Sequence, residues 1–262
     1  MIVEYHRPKD TGAALKLIAR SSPRTYPLGG GSFLTQPRNE EIAVVDLQNL
    51  EINQLGKIKN SLLIGATVTL QDFLEYLMDP ETDFLKGKLE LEKTIRHEAS
   101  YNLRQVATIA GTVVSANGRS PFVTSLIALD AAARVISLDG EIDQIKLGDF
   151  FPLWKEICND KLIIEFEIPK NVNFVYQYVA RSPADLPIVC CAVCQWPSGR
   201  TRGALGGYGD YPILIFDGTG EEGIKDAAEV SYNQAEDVWA SSDYRSEIAG
   251  VLAGRCISLL NV

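Results

Sequence analysis

The sequence predicts an α+β protein, on three observations. Strand-like runs dominate between about residues 162 and 208, where Leu162, Ile164, Phe166 and Ile168 alternate with Glu165 and Glu167. Helix-like runs with apolar residues at i, i+3, i+4 and i+7 lie before and after that block. Pro169-Lys170-Asn171 is a turn-forming cluster between two strand runs, so a domain boundary is expected near 170, dividing the chain into 1–170 and 171–262. With 262 residues, 46% apolar and 23% charged, the chain can bury a sizeable core. Those proportions exclude disordered, collagenous, coiled-coil and disulfide-scaffold classes.

The elements follow in order. Asp10 is a candidate cap for a helix from Thr11 to Arg20, with Ala14, Leu15, Leu17 and Ile18 on one face. After the break at SSPRTYP and three glycines, Ile42–Asp46 and Leu62–Gly65 read as short buried strands. Thr69 with Asp72 has the pattern that opens a helix, in which Leu70, Phe73, Leu74 and Leu77 share a face. The stretch 95–120 is rich in small residues and poorly periodic, and is expected to be loop and short strand. Pro121 after Ser120 opens a helix expected to run through Ala131. Beyond the strand at 162–168, strands are expected near 174–180, 187–196 and 201–208. Two helices follow, at 224–239 and 243–260, the second with a stripe of Tyr244, Ile248, Val251, Leu252, Cys256 and Leu259.

Charge and composition narrow the function classes. The net charge of −9 resides entirely beyond residue 120: the first 120 residues carry 14 basic and 14 acidic side chains, the rest 11 and 20. With no basic patch, nucleic acid is not an expected partner, and the neutral portion is the better seat for an anionic ligand. The longest apolar run, Ile188–Cys194, is seven residues, far below the roughly 18 a membrane-spanning helix requires. A polar start and five cysteines without a disulfide framework point to the cytoplasm. Cys191 and Cys194 have the spacing of half a zinc site, but no second pair exists, and buried thiols are the expectation. Two histidines exclude a His-rich metal site; His97, between Arg96 and Glu98, reads as solvated surface, with a role beside a bound ligand as the alternative. No catalytic residue and no metal ligand is assigned.

Two segments carry the chemistry. Gly29-Gly30-Gly31, followed by Ser32 and Phe33, permits backbone conformations closed to other residues and leaves successive amides open to an anion; a flexible turn is the competing reading. Thr108-Ile109-Ala110-Gly111-Thr112, preceded by Arg104, is small enough for close backbone approach, or for a tightly packed strand pair.

In that order and spacing, the two segments resemble the FAD-binding medium subunit of molybdenum hydroxylases, as in carbon monoxide dehydrogenase and the flavin domain of xanthine dehydrogenase. The resemblance also runs through Tyr5-His6-Arg7-Pro8, Val45-Asp46-Leu47, Ile64-Gly65-Ala66 and Leu129-Asp130-Ala131. It continues to Asp185, Ala204-Leu205-Gly206-Gly207 and Tyr244-Arg245. It implies a two-part FAD-binding domain of the PCMH type followed by a smaller α+β domain. It also implies FAD as cofactor, clasped at its pyrophosphate by Gly29, Gly30, Gly31, Ser32 and Phe33 and by Arg104, Thr108, Ile109, Ala110, Gly111 and Thr112. Ser120, Asp185 and Leu186 complete the implied site, Leu186 beside the isoalloxazine. The implied partners are a molybdopterin-binding large subunit and a [2Fe-2S] small subunit, between which and an acceptor this chain passes electrons without acting on substrate itself.

The chain departs from the family pattern at four positions. Phe33 and Thr112 replace polar Asp, Ser or Asn side chains, Ala110 replaces a glycine, and Ser120 stands nearest to a missing acidic residue. Each lost polar contact costs on the order of 1 kcal/mol, so two or three losses would leave FAD weakly held in the isolated chain. Arg119 is a cation that could compensate at a phosphate. The alternative function is an interaction subunit whose flavin site has decayed.

Overall fold

The computed structural model describes residues 1–37, 39–80 and 87–260. β1 (Ile2–His6) leads to α1 (Thr11–Ile18), where Asp10 caps the first turn by accepting the Ala13 N–H at 2.8 Å. Ala14, Leu15 and Ile18 are its buried face, as the spacing predicts. β2 (Thr25–Leu28) and β3 (Ile42–Asp46) follow, then β4 (Leu55–Ile58) and β5 (Ser61–Gly65). α2 (Leu70–Met78) opens on Thr69, whose hydroxyl accepts the Asp72 N–H at 3.0 Å, and buries Leu70, Phe73, Leu74 and Leu77.

The stretch 95–120, expected as loop and strand, is largely helical instead: α3 (Lys88–Glu98), α4 (Tyr101–Arg104) and α5 (Ile109–Ser115). α3 buries only Leu91, Thr94 and Ile95 and is otherwise a charged surface helix, so its apolar signal is thin. α5 is built of glycine and β-branched residues, poor helix formers, and exists because Ile109, Thr112 and Val113 are drawn into the core. α6 (Pro121–Ala128) starts on Ser120 as expected, but ends at Ala128, with Asp130 in the left-handed region at φ 55°.

β6 (Ala132–Ile136), β7 (Ile142–Lys146) and α7 (Leu147–Ile157) have no predicted counterpart; β7 is mostly exposed and polar, and α7 contains Pro152. β8 (Leu162–Pro169), β9 (Asn173–Val179), β10 (Val189–Gln195) and β11 (Arg200–Gly206) fall where strands are predicted, whereas β12 (Ile213–Thr219) is additional. α8 (Ile224–Ser231) is half the predicted length. In α9 (Ser242–Leu260) the predicted stripe is rotated: Tyr244, Val251 and Leu259 are exposed, and the buried face is Arg245, Ala249, Gly250, Leu252, Ala253 and Cys256. Hydropathy favours Tyr244 over Arg245, but Arg245 is taken inside by backbone carbonyls, as described below.

The strands form three sheets: a parallel one ordered β1-β3-β2, a mixed-length one ordered β4-β5-β8-β6-β7, and an antiparallel meander β12-β11-β10-β9. The chain divides into two compact units. The first comprises Met1–Phe73, Tyr101–Ser115 and Ala132–Glu167; the second comprises Leu74–Ser100, Ala116–Ala131 and Ile168–Val262.

The second unit is layered. α6 packs on one face of β10 and β11, and α9 packs on β10 and β9 from the other. β10 is therefore covered on both sides, which is why its sequence is a continuous apolar run without alternation. Cys191 and Val193 join the α9 side with Leu252, Ala253 and Cys256, while the Cys190 thiol lies 3.6 Å from the Thr124 hydroxyl of α6. Burial pushes the Cys190 thiol up to about 12 and raises Cys194 further still. These cysteines are free thiols inside the core.

Candidate functional site

The first unit brings the two glycine-containing segments together. Gly29–Gly31 follows directly on β2, and lies against Val106–Thr108, which precedes α5. A Cβ on Gly30 would sit 1.4 Å from the Val106 carbonyl oxygen, and one on Gly29 2.6 Å from the Thr108 hydroxyl. Gly31 holds φ at 75°, a conformation that side chains rarely adopt. Any side chain at Gly30 would therefore drive the segments apart.

The second segment is itself anchored. Leu70 donates to the Ala107 carbonyl at 2.8 Å, Ile109 to Val68 at 2.9 Å and Ala110 to Ala66 at 3.1 Å. The Gly111 N–H meets the Thr108 hydroxyl at 3.1 Å and the Thr112 N–H meets the Thr108 carbonyl at 2.8 Å, so Thr108 caps α5. All four amides at the head of α5 are thus engaged within the fold. Arg104, buried at the end of α4, donates to Gln71 at 3.2 Å.

The glycine loop is different. Among the described residues, no N–H from Gly29 to Phe33 donates to a carbonyl or a side chain. A run of unengaged amides on an exposed turn, backed by a wall that only glycine can approach, fits a pyrophosphate. The residues present therefore suit the phosphates of FAD, with amides from one segment and a supporting surface from the other. Phe33 is 52% exposed, an apolar side chain at the rim of this turn.

Ser120, Asp185 and Leu186 lie in the second unit. Ser120 is the N-cap of α6: its hydroxyl accepts the Val123 N–H at 3.2 Å and donates to the Glu98 carboxylate at 2.7 Å. Glu98 also accepts the Phe122 N–H at 3.1 Å, and burial pushes its carboxyl up to about 7. Asp185 and Leu186 lie in the loop between β9 and β10.

Two sequence readings change. His97 is not simply solvated surface: it is half-buried, packs on the Tyr178 ring at 4.4 Å between centroids, and donates through Nε2 to the Asp185 carbonyl at 2.5 Å. Arg119 donates through Nη2 to the Leu186 carbonyl at 2.5 Å and through Nε to the Pro187 carbonyl at 2.9 Å, within the second unit. Sequence reasoning also missed Glu98; a carboxylate that meets the helix it caps 22 residues further along the chain leaves no local signal. Among the described residues no cluster of three or more His, Cys, Asp or Glu could hold a metal, and no helix is long and apolar enough to cross a membrane.

A family profile described as the FAD binding domain in molybdopterin dehydrogenase matches residues 1–171. The carbon monoxide dehydrogenase medium chain of Hydrogenophaga pseudoflava is 22% identical, over 97% of this chain and 96% of that one. The xanthine dehydrogenase of Blastobotrys adeninivorans is 25% identical over 77% of this chain, which corresponds to 16% of that much longer protein. The reconstituted CO dehydrogenase from Oligotropha carboxidovorans includes a chain that superposes with a TM-score of 0.80 at 21% identity, covering 97% of this chain and 96% of that one, so the fold is shared along nearly its whole length.

Proposed function

The chain belongs to the family of FAD binding domains in molybdopterin dehydrogenases, a family whose cofactor is FAD, and from that premise we propose that it is the electron-transferring flavoprotein subunit of a molybdenum-dependent oxidoreductase. In this reading residues 1–170 form the FAD-binding domain and 171–262 the C-terminal flavoprotein domain. Its partners are a molybdopterin-binding large subunit and a [2Fe-2S] small subunit, assembled in the cytoplasm. Bound FAD supplies the redox chemistry, accepting electrons from the iron–sulfur clusters and yielding them to an acceptor.

The chain's own residues bind and orient. The unengaged amides of Gly29–Phe33 carry the reading, because they offer hydrogen bonds to phosphate oxygens whatever the neighbouring side chains are. Thr108 lies against that loop, Ile109, Ala110, Gly111 and Thr112 anchor the segment behind it through their amides, and Arg104 belongs to the site by the family resemblance. Ser120 shapes the start of α6, while Asp185 and Leu186 present the loop assigned to the isoalloxazine. In this reading the chain serves the flavin and leaves substrate chemistry to the large subunit.

The departures at Phe33 and Thr112 remove side-chain contacts but not the backbone amides. The purified chain is therefore expected to be colourless or partly coloured and to take up FAD on titration, followed by calorimetry or quenching of flavin fluorescence. Absence of saturable binding at hundreds of micromolar FAD would select the second reading, an interaction subunit of the same kind of complex. That reading draws on the engagement of the Ile109–Thr112 amides within the fold.

A further inference from the structure

The turn after β2 joins two chemical characters, and both lie in the first unit. Its backbone seeks an anion: among the described residues, the amides from Gly29 to Phe33 are unengaged. Its side chains offer an anion little. No charged residue stands between Thr25 and Pro37. On the facing segment, Arg104 is the sole charged residue from Ala99 to Ser115, and it is buried and donates to Gln71. What these segments expose is apolar. Phe33 is 52% exposed, and Val106, whose carbonyl Gly30 abuts, is 45% exposed.

Neutral amides hold a phosphate less strongly than a guanidinium or ammonium does, so a site without local cations draws affinity from the rest of its ligand. A phenyl ring beside such amides suits a phosphate that carries a flat, apolar group. The ring is also held in place. The Thr35 N–H and hydroxyl both return to the Gly31 carbonyl, at 3.1 and 2.7 Å, and the Gln36 N–H returns to the Phe33 carbonyl at 3.3 Å. Phe33 therefore stays within a closed turn, three residues from Gly30. In FAD the adenine is joined to the pyrophosphate by one ribose, the isoalloxazine by a longer, open five-carbon chain. Of the two rings, the adenine has the shorter reach, which this turn matches.

We propose that Phe33 receives the base: the adenine of FAD stacks on its exposed ring while the Gly29–Phe33 amides hold the pyrophosphate. The inference rests on the reading of this chain as an FAD carrier, and it gives Phe33 a sign opposite to that of a lost polar contact. If Phe33 merely replaced a hydrogen-bonding side chain, a hydroxyl put back at this position would strengthen binding. If it stacks on adenine, the same change weakens binding, and only for ligands that carry the base.

The test compares the full-length chain with Phe33→Ser and Phe33→Tyr, each titrated calorimetrically with FAD, with ADP and with inorganic pyrophosphate. The unaltered chain is expected to bind ADP at least about tenfold more tightly than pyrophosphate. Phe33→Ser is expected to weaken FAD and ADP alike by about tenfold, the scale of one base stacked on an aromatic side chain, and to leave pyrophosphate within about twofold. Phe33→Tyr, which keeps the ring, stays within about twofold for all three. Because Phe33 is exposed, both variants are expected to unfold at the temperature of the unaltered chain, which separates lost stacking from lost structure. Tighter or unchanged FAD binding by Phe33→Ser overturns the inference. So does weaker FAD with unchanged ADP, a parallel fall in pyrophosphate, or an unaltered chain that binds ADP no better than pyrophosphate. Each of these leaves the functional reading standing as long as the unaltered chain binds FAD. An unaltered chain that binds neither FAD nor ADP overturns that reading, and this inference with it.

Discussion

Gly30 and Gly111 look equivalent in the sequence, each a small residue in a glycine-bearing segment, and the structure separates them. The Cβ of Gly30→Ala meets the Val106 carbonyl, part of a backbone anchored through Leu70, Ile109 and Ala110 that cannot step aside. The Cβ of Gly111→Ala meets only the Thr108 hydroxyl, at 2.9 Å, and sits in a helix where alanine is the better former. Gly30→Ala is therefore expected to lose FAD affinity by at least about tenfold, and to lower stability by about 1–3 kcal/mol, the cost of forced overpacking. Gly111→Ala is expected to change stability by less than about 1 kcal/mol, with FAD affinity largely kept. Calorimetric titration and thermal unfolding of both variants check this, and equal losses in the two would contradict it. The presence of two small-residue segments was legible in the sequence; which of them has open amides was not. That difference depends on the 66–70 segment, whose carbonyls take up the α5 amides through pairing between segments some forty residues apart.

At the scale of elements, legibility followed burial. α1 and α2 were readable because one apolar face and a capping side chain coincide in a short window. α3 and α5 were not, one because its exposed face is charged, the other because its residues disfavour helix until packed. α6 has a device no window could reveal: its amino terminus is closed by Glu98, carried on α3. The carboxyl ordinarily titrates near 4.5 and is raised to about 7 in the folded chain. Between those values the folded state binds the extra proton, so this contribution to stability is full below about pH 4.5 and is lost as pH rises through 7. Glu98→Gln, which keeps a neutral acceptor, is expected to remove that slope. The stability difference between wild type and variant is expected to change by up to about 3 kcal/mol between pH 4.5 and 8. Denaturant unfolding at a series of pH values measures it; a difference independent of pH would show that the carboxylate is solvated.

The whole molecule is less separable than its sequence suggests. The turn cluster at 169–171 and the end of the family match at residue 171 both mark a boundary along the chain. In space, however, α3 and α6 from the first 170 residues pack in the same unit as β9–β12 and α9. All eight residues of α6 are buried, with β10 and β11 among the elements covering them. A chain ending at Lys170 is therefore expected to expose that helix and to aggregate or bind a hydrophobic dye such as ANS strongly. The full chain is expected to do neither; a monomeric, dye-silent 1–170 fragment would show that α6 finds other cover.

The alternation of segments between the two units also bears on how the chain is made. Its course passes from one unit to the other at 73–74, 100–101, 115–116, 131–132 and 167–168. On the ribosome, α3 and α6 emerge well before the strands that cover them, and wait for some sixty or more residues of further synthesis before β10 arrives. Vectorial folding, one finished unit after another, is closed to such a chain, because the earlier-made pieces of the second unit cannot be completed until the last third has left the exit tunnel. Nascent chains of this protein are thus natural clients for holding chaperones, and slowing translation, which helps proteins whose domains follow one another in order, would prolong the exposed interval here.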